Sequence, residues 1–87
     1  MNDDIRQAVR GFLLDDALQG EDPSNLADDM ALRTSGILDS MGVIRLTSFL
    51  EERFAIRIDA HETGVGNFDT VDAIVAFVSA KRGGEGA

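Results

Sequence analysis

The spacing of apolar residues limits the fold of this chain more than any other feature. Over residues 3–18, 39–54 and 69–81, apolar side chains recur at the three- and four-residue intervals of one helix face. The stripes consist of Ile5, Ala8, Val9, Phe12 and Leu13, then Leu46, Leu50 and Phe54, and finally Val71, Ile74, Val75 and Val78. Only residues 55–58 alternate, and four residues without a partner strand do not form a sheet. The pattern therefore predicts an all-α fold with three long helices.

Residues that cap or end helices stand at the borders of these segments. Asp39 or Ser40 has the chemistry to begin the second helix. The run Asp59-Ala60-His61-Glu62 has the pattern of a capping box and predicts one short helical turn, ended by Gly64 and Gly66. With this turn, the predicted fold is a small four-helix bundle of three long helices and one short helix.

A long connection separates the first two helices. Residues 19–39 are rich in Asp, Ser, Asn and Gly, yet apolar residues recur through them, which predicts a loop that packs onto the core. These apolar residues are Leu26, Leu32, Ile37 and Leu38. A chain of 87 residues fits one domain, which we assign to residues 1–82. The glycine-rich residues 83–87 are expected to form a disordered tail.

The composition excludes several classes of function. The chain has no cysteine, so it has no disulfide framework, thiolate metal site or cysteine nucleophile. Its net charge of −8 repels phosphate backbones, so nucleic acid is not expected as a partner. No apolar run approaches the roughly 20 residues that cross a bilayer, and the acidic start lacks the apolar stretch of a secretory signal. We therefore expect a cytoplasmic protein without stable membrane insertion.

The side chains give little support for catalysis by the chain itself. His61 is the only histidine, and it has neither a cysteine nor an evident oriented serine as a partner. The acidic pairs Asp15-Asp16, Asp28-Asp29 and Glu51-Glu52 are sequence neighbours, which point about 100° apart on a helix and do not converge on one proton or metal ion. We expect no catalytic residue and no metal site. An enzymatic role would require Ser40 and His61 to meet.

The segment Gly36-Ile37-Leu38-Asp39-Ser40-Met41-Gly42 places an acid and a serine at the predicted start of the second helix. The first N–H groups of a helix are unpaired and carry the positive end of its dipole, so an anion attached to the Ser40 hydroxyl would be stabilised there. A serine that precedes the buried stripe is also expected to be exposed. Taken alone, Asp39 and Ser40 favour a simple helix cap, since Ser and Asp are ordinary at such positions.

The chain resembles the acyl carrier protein family, the phosphopantetheine-binding carrier proteins, over residues 3–81. The run Leu38-Asp39-Ser40-Met41 matches the family's Leu-Asp-Ser-Leu/Met signature. The spacing onward to Arg53-Phe54 is similar to the family's second helix, and residues 56–59 and 68–74 resemble the segments that lead into its last two helices. The helix order, the acidity and the long first loop agree with this resemblance.

The resemblance implies that Ser40 is the attachment site of 4′-phosphopantetheine and that Asp39 is a supporting residue of the motif. A phosphopantetheinyl transferase would attach the group, whose thiol would hold an acyl or aminoacyl cargo as a thioester. The chain would then be a stand-alone, monomeric, non-catalytic carrier. Its further partners would be an adenylating acyl or aminoacyl ligase and a downstream transferase or synthase. The alternative is a carrier-like docking module that works without a prosthetic group.

The residues that follow the serine are the candidates for contact with partner enzymes: Met41, Val43, Ile44 and Arg45. Helical spacing alone leaves the apolar ones equally compatible with the core. Carriers of fatty acid synthesis have acids two and five residues after the serine, where this chain has Gly42 and Arg45. The run Asp39-Ser40-Met41-Gly42 resembles that of D-alanyl and discrete peptidyl carrier proteins, so an aminoacyl or specialised acyl cargo is favoured over a role in fatty acid synthesis.

Overall fold

Three long helices dominate this computed structural model, which describes residues 2–18, 20 and 22–86. Helix α1 spans Asn2–Asp16, α2 spans Ser40–Phe54, the one-turn α3 spans Val65–Phe68, and α4 spans Val71–Gly86. Two 3₁₀ turns, Pro23–Asn25 and Ala60–Glu62, lie in the connections, and the described residues contain no strand. The Cα radius of gyration of 12.0 Å equals the value of about 12 Å expected for a compact chain of this length. The predicted all-α bundle is confirmed.

One apolar core holds the helices together. Each long helix buries one face, because its apolar residues recur every three or four positions, and the long connection adds three leucines. The buried residues are Ile5, Val9 and Leu13 of α1, Leu26, Leu32 and Leu38 of the connection, Val43, Leu46, Leu50 and Phe54 of α2, Ile56, Phe68, and Val71, Ile74, Val75 and Val78 of α4. Each fully buried side chain of this size contributes about 1.5–3 kcal/mol. The expected packing of the connection onto the core is confirmed, with Ile37 partly buried against it.

Helices α1 and α2 pack in opposite directions along a register of four-residue steps. The rings of Phe12 and Phe49 stack with their centroids 4.9 Å apart. One turn further along α1 and one turn earlier along α2, Arg45 Nε lies 3.0 Å from Asp16 Oδ1. The two contacts fix how far the start of α2 extends past the end of α1. The part of α2 that α1 does not cover is the exposed surface described below.

Asp28 ties the middle of the long connection to α1 and α4. Its carboxylate accepts hydrogen bonds from Arg6 at 2.7 Å and from Arg10 at 2.9 Å. Its carbonyl oxygen accepts the backbone N–H of Asp72 at 3.0 Å. Arg6 also donates to the carboxylate of Asp72 at 2.7 Å, and the two carboxylates, Asp72 foremost, raise the pKa of the arginine.

The second attachment of the connection is at Asp69, just before α4. The Asp69 carbonyl oxygen accepts the N–H of Leu32 at 2.6 Å, and its carboxylate accepts the N–H of Arg33 at 2.9 Å. The N–H and hydroxyl groups of Thr34 also donate to this carboxylate. Helix α4 itself is capped by Thr70, whose hydroxyl accepts the N–H of Ala73 at 3.0 Å. The connection is therefore held by backbone hydrogen bonds as well as by its leucines.

Two sequence expectations differ from the structure. The predicted turn at Ala60–Glu62 forms, but as a 3₁₀ turn, and the short α-helix follows it at Val65–Phe68. Gly64 does not end the helical structure, since its carbonyl accepts the N–H of Phe68 at 3.0 Å and burial of the Phe68 ring holds this turn on the core. Helix α4 continues to Gly86, beyond the predicted end of the last helix at residue 81. Each glycine lowers helix propensity by about 1 kcal/mol but keeps the N–H that continues the ladder. Ala87 lies outside the described residues.

Candidate functional site

The start of α2 is organised by Asp39. This residue is extended, with φ −81° and ψ −177°, and its Oδ1 accepts the backbone N–H of Gly42 at 2.8 Å. Its carbonyl oxygen accepts the N–H of Val43 at 2.9 Å. The bond from Gly42 satisfies a donor that a helix start leaves unpaired, and the bond from Val43 is the first intrahelical bond. Of the two residues that the sequence offered for the start of the helix, Asp39 is therefore the N-cap.

Ser40 is the first residue of α2, and it is exposed. Within the described residues, no hydrogen bond engages its hydroxyl, because Asp39 rather than Ser40 caps the helix. The hydroxyl is therefore free to carry a covalent group. The fifteen-residue helix behind it directs its positive end toward any anion attached there.

Gly42 fits this site because there is little room for a side chain. A β-carbon at this position would lie 3.2 Å from Asp39 Oδ1 and 3.2 Å from Leu38 Cδ1. Both contacts are tighter than an ordinary van der Waals distance. The sequence identified Gly42 as a departure from fatty-acid carriers, and the close approach of the capping carboxylate gives a physical reason for the glycine.

The apolar candidates for partner contact divide between the surface and the core. Met41 and Ile44 are 58 % and 56 % exposed, so these two belong to the surface. Val43 is only 5 % exposed, which differs from its assignment as a contact residue. The reason is helical periodicity, since Val43 falls on the same face of α2 as Leu46 and Leu50.

Arg45 lies on the exposed side of α2, as expected, and has a partner that the sequence did not reveal. Its Nε is 3.0 Å from both carboxylate oxygens of Asp16, the last residue of α1. The two residues are 29 positions apart in the chain, so no local pattern could have predicted the pair. In the sequence, Asp16 is visible only as half of an acidic doublet.

Met41 is exposed because α1 ends too early to cover it. Phe12 of α1 contacts Phe49 of α2. Four residues further along α1, Asp16 contacts Arg45, which lies four residues earlier in α2. The next step along α2 toward Ser40 is Met41, but α1 stops at Asp16. The start of α2 therefore presents Ser40, Met41 and Ile44 together, with Arg45 at the border of the covered region.

The other candidate chemistry does not assemble. His61 lies exposed in the 3₁₀ turn, and none of the hydrogen bonds in the described parts of the chain joins it to Ser40. No group of three or more histidine and acidic side chains in residues 2–18, 20 and 22–86 is placed to hold a metal ion. In the same part of the chain, no helix is long and apolar enough to span a membrane.

Comparison with known proteins links the chain to proteins named D-alanyl carrier protein. No protein-family model matches it. The D-alanyl carrier proteins of Streptococcus gordonii and Streptococcus thermophilus are each 40 % identical to it over 67 residues, which cover 77 % of this chain and 84 % of theirs. That of Streptococcus sanguinis is 40 % identical over 62 residues, covering 71 % of this chain and 77 % of the relative.

Proposed function

This chain belongs to the D-alanyl carrier proteins, an acyl carrier-like family, and from that membership we propose that it holds an aminoacyl group on a 4′-phosphopantetheine arm attached to Ser40. Carrier homologues of nearly the same length support a stand-alone carrier role. The proposed cargo is D-alanine, after the name of the relatives. The chain itself catalyses nothing, and the reactions belong to the enzymes that visit it.

The exposed, uncommitted hydroxyl of Ser40 is the observation that carries the proposal. A transferase must reach this oxygen so that it can lose its proton and attack the pyrophosphate phosphorus on the pantetheine side of coenzyme A, which breaks the pyrophosphate bond and releases adenosine 3′,5′-bisphosphate. Ser40 is exposed at the first position of α2. No described residue competes for the hydroxyl, since the cap of the helix is provided by Asp39. The residues at this site therefore fit a covalently attached phosphodiester.

Asp39 and α2 provide the setting for the attached group. Asp39 holds the first turn through Gly42, so the Ser40 hydroxyl projects from a fixed helix start rather than from a loose loop. The dipole of α2 stabilises the negative charge of a phosphodiester at this end. When bound, the arm supplies the thiol that the cysteine-free chain lacks, and this thiol holds the cargo as a thioester.

The exposed residues after Ser40 form the proposed contact surface for partner enzymes, which we call the docking face: Met41, Ile44 and Arg45. Met41 and Ile44 are among the few large apolar side chains that are exposed in the described residues. Apolar side chains beside the attachment point suit transient recognition by several enzymes in turn. Val43 contributes from the core, by holding α2 in place.

The partners follow from the chemistry. A phosphopantetheinyl transferase modifies Ser40, an adenylating ligase activates D-alanine with ATP and loads it, and a downstream transferase removes it. Because ATP and coenzyme A are cytoplasmic metabolites, the proposed location is the cytoplasm. A monomer suits this role, since a tethered cargo must reach several enzymes in succession.

Intact mass spectrometry tests the attachment directly. The purified protein is incubated with coenzyme A, Mg²⁺ and a promiscuous phosphopantetheinyl transferase, with Ser40→Ala and Ser48→Ala in parallel. Ser48 is the matched control, since it is an exposed serine on the same helix. We expect one phosphopantetheinyl group on the wild-type and Ser48→Ala proteins and none on Ser40→Ala.

A different pattern would change the conclusion. If neither the wild-type protein nor the control gains mass, the carrier proposal fails and a docking module without a prosthetic group becomes the better description. If Ser40→Ala still gains mass, the attachment site is another residue. If the modified protein, incubated afterwards with ATP and an adenylating ligase, accepts another amino acid but not D-alanine, the carrier role stands and the cargo is wrong.

A further inference from the structure

The pair formed by Asp16 and Arg45 lies at the edge of the docking face. Arg45 Nε donates between the two carboxylate oxygens of Asp16, both at 3.0 Å. The Arg45 side chain is 49 % exposed and that of Asp16 is 25 % exposed. A guanidinium has five N–H donors, and only the one on Nε bonds a residue that the structure describes. The terminal amino groups thus remain available to a partner.

The position of the guanidinium relates it to the attachment point. One of its terminal nitrogens lies 3.9 Å from where a β-carbon on Gly42 would be. Gly42 is two residues after Ser40, so the charge lies over the first turn of α2 rather than further along the helix. An enzyme that reaches Ser40 from the exposed side of α2 meets Met41, Ile44 and this guanidinium together.

The local charge indicates what such an enzyme must present. Residues 40–50 contain no acid, and Arg45 is their only charged residue, although the chain has 16 acidic residues in all. A basic surface would meet a like charge here and lose affinity. A carboxylate would accept charge-assisted hydrogen bonds from the free edge of the guanidinium.

Asp16 matters to this interaction because it restricts the arginine before the partner arrives. A free arginine loses rotamer freedom on binding, which weakens the complex. Contact with both carboxylate oxygens of Asp16 removes part of that freedom in the unbound carrier. A surface ion pair of this kind adds little to folding stability, so its effect on docking can be separated from any effect on the fold.

We infer that Asp16 is a positioning residue that holds Arg45 on the docking face, and that the ligase that loads the carrier presents a carboxylate to Arg45 beside apolar side chains for Met41 and Ile44. This inference rests on the proposed function. It adds to that function a residue of α1 and the chemical character of the partner surface.

The test measures steady-state loading of the phosphopantetheinylated protein by an ATP-dependent D-alanine ligase, with KM and kcat for the carrier determined separately. Asp16→Asn should raise KM about threefold with kcat unchanged, because Arg45 is then no longer held in place before the ligase binds. Arg45→Gln should raise KM by about threefold to tenfold, and Arg45→Glu should raise it further. The KM of the wild-type protein should also increase with salt more steeply than that of Arg45→Gln.

The exchanged pair, Asp16→Arg with Arg45→Asp, separates docking from structure. It keeps opposite charges in contact but places a negative charge on the docking face. We expect its KM to remain as high as that of Arg45→Glu, with a melting temperature close to wild type. Asp15→Asn and Arg53→Gln are matched controls, since both are exposed and neither forms an ion pair with a described side chain. Both should load normally.

Three results would overturn the inference. The first is an exchanged pair that loads like the wild-type protein, because the pair would then serve only the fold. The second is an unchanged KM in Arg45→Glu. The third is a wild-type protein that gains its arm at Ser40 but is not charged by a D-alanine ligase, because the named partner would be wrong. Intact mass spectrometry measures attachment at Ser40 in every variant, so the proposed function is tested independently of the loading kinetics.

Discussion

The carboxylate of Asp69 accepts the backbone N–H of Thr34 at 3.0 Å, which closes the long connection onto the foot of α4 across 35 residues of sequence. The N–H of Arg33 donates to the same Oδ1 at 2.9 Å. These bonds stabilise the charged form of the acid, so the N–H of Thr34 above all holds the pKa of Asp69 below its ordinary value. The connection that leads to Ser40 is therefore linked to a titratable group.

This linkage predicts a pH dependence of stability. Because the pKa of Asp69 is lower in the folded than in the unfolded chain, its contribution is complete above the unfolded value of about 3.9 and is lost as the pH falls through the folded value. Asp69→Asn should therefore lower the melting temperature at pH 7 and reduce its decline below pH 4. Circular dichroism melts between pH 3 and pH 7 measure both effects. Asp29→Asn, an exposed change in the same connection, should keep the wild-type profile.

The cap of α2 should contribute measurably to stability. Asp39→Ala removes the acceptor of the Gly42 N–H and should lower the free energy of unfolding by about 1 kcal/mol. Asp39→Asn keeps an acceptor oxygen and should lose only a small part of this free energy. Urea titrations followed by circular dichroism suit a chain without tryptophan or tyrosine. Equal stability of the alanine and asparagine variants would contradict a capping role.

Two glycines in helices should respond differently to alanine. Gly11 lies on α1 with open space around the position of a β-carbon, so Gly11→Ala should stabilise the protein by about 0.5–1 kcal/mol. Gly42→Ala would bring the same gain in helix propensity, but the added β-carbon would lie 3.2 Å from atoms of Asp39 and Leu38. Gly42→Ala should therefore gain clearly less, or lose stability, in the same urea titrations. If both alanine variants gain stability in full, the Asp39 side chain can move to accommodate the added β-carbon.

The end of α2 contains a residue in an unfavourable conformation. Ala55 has φ 55° and ψ 46°, in the left-handed region that suits glycine. Ala55→Gly should raise the free energy of unfolding by up to about 1 kcal/mol, because the strain of the β-carbon is removed. Ala76→Gly, at an exposed position inside α4, is the matched control and should destabilise by about 1 kcal/mol. Destabilisation by both changes would mean that Ala55 is not strained.

The sequence predicted those features that depend on local spacing. The stripes of α1, α2 and α4, the leucines of the long connection and the cap at Asp39 follow from periodicity and capping chemistry, and the structure contains all of them. The α-helical turn at Val65–Phe68 was missed because burial of Phe68 outweighs two glycines that normally end helices. The attachment of a prosthetic group at Ser40 stays a prediction.

Relations between distant residues could not be predicted in this way. The pair of Asp16 and Arg45 depends on the register of α1 against α2, which a single sequence does not specify. The same register decides that Met41 and Ile44 are exposed, whereas spacing alone left them equally compatible with the core. For Val43, helical periodicity predicts burial, whereas its closeness to Ser40 in the sequence suggests contact with partners. The side chain is buried, so periodicity is the better guide.

The early end of α1 has a consequence for how such a protein can change over time. The four-residue register means that the area left open beside Ser40 is set by the length of a neighbouring helix, independently of the residues of α2. An insertion that added one turn after Asp16 would bury Met41 without altering any residue of the motif. Partner preference in this architecture can therefore evolve by insertion and deletion in a distant segment, while Ser40 and its helix stay unchanged.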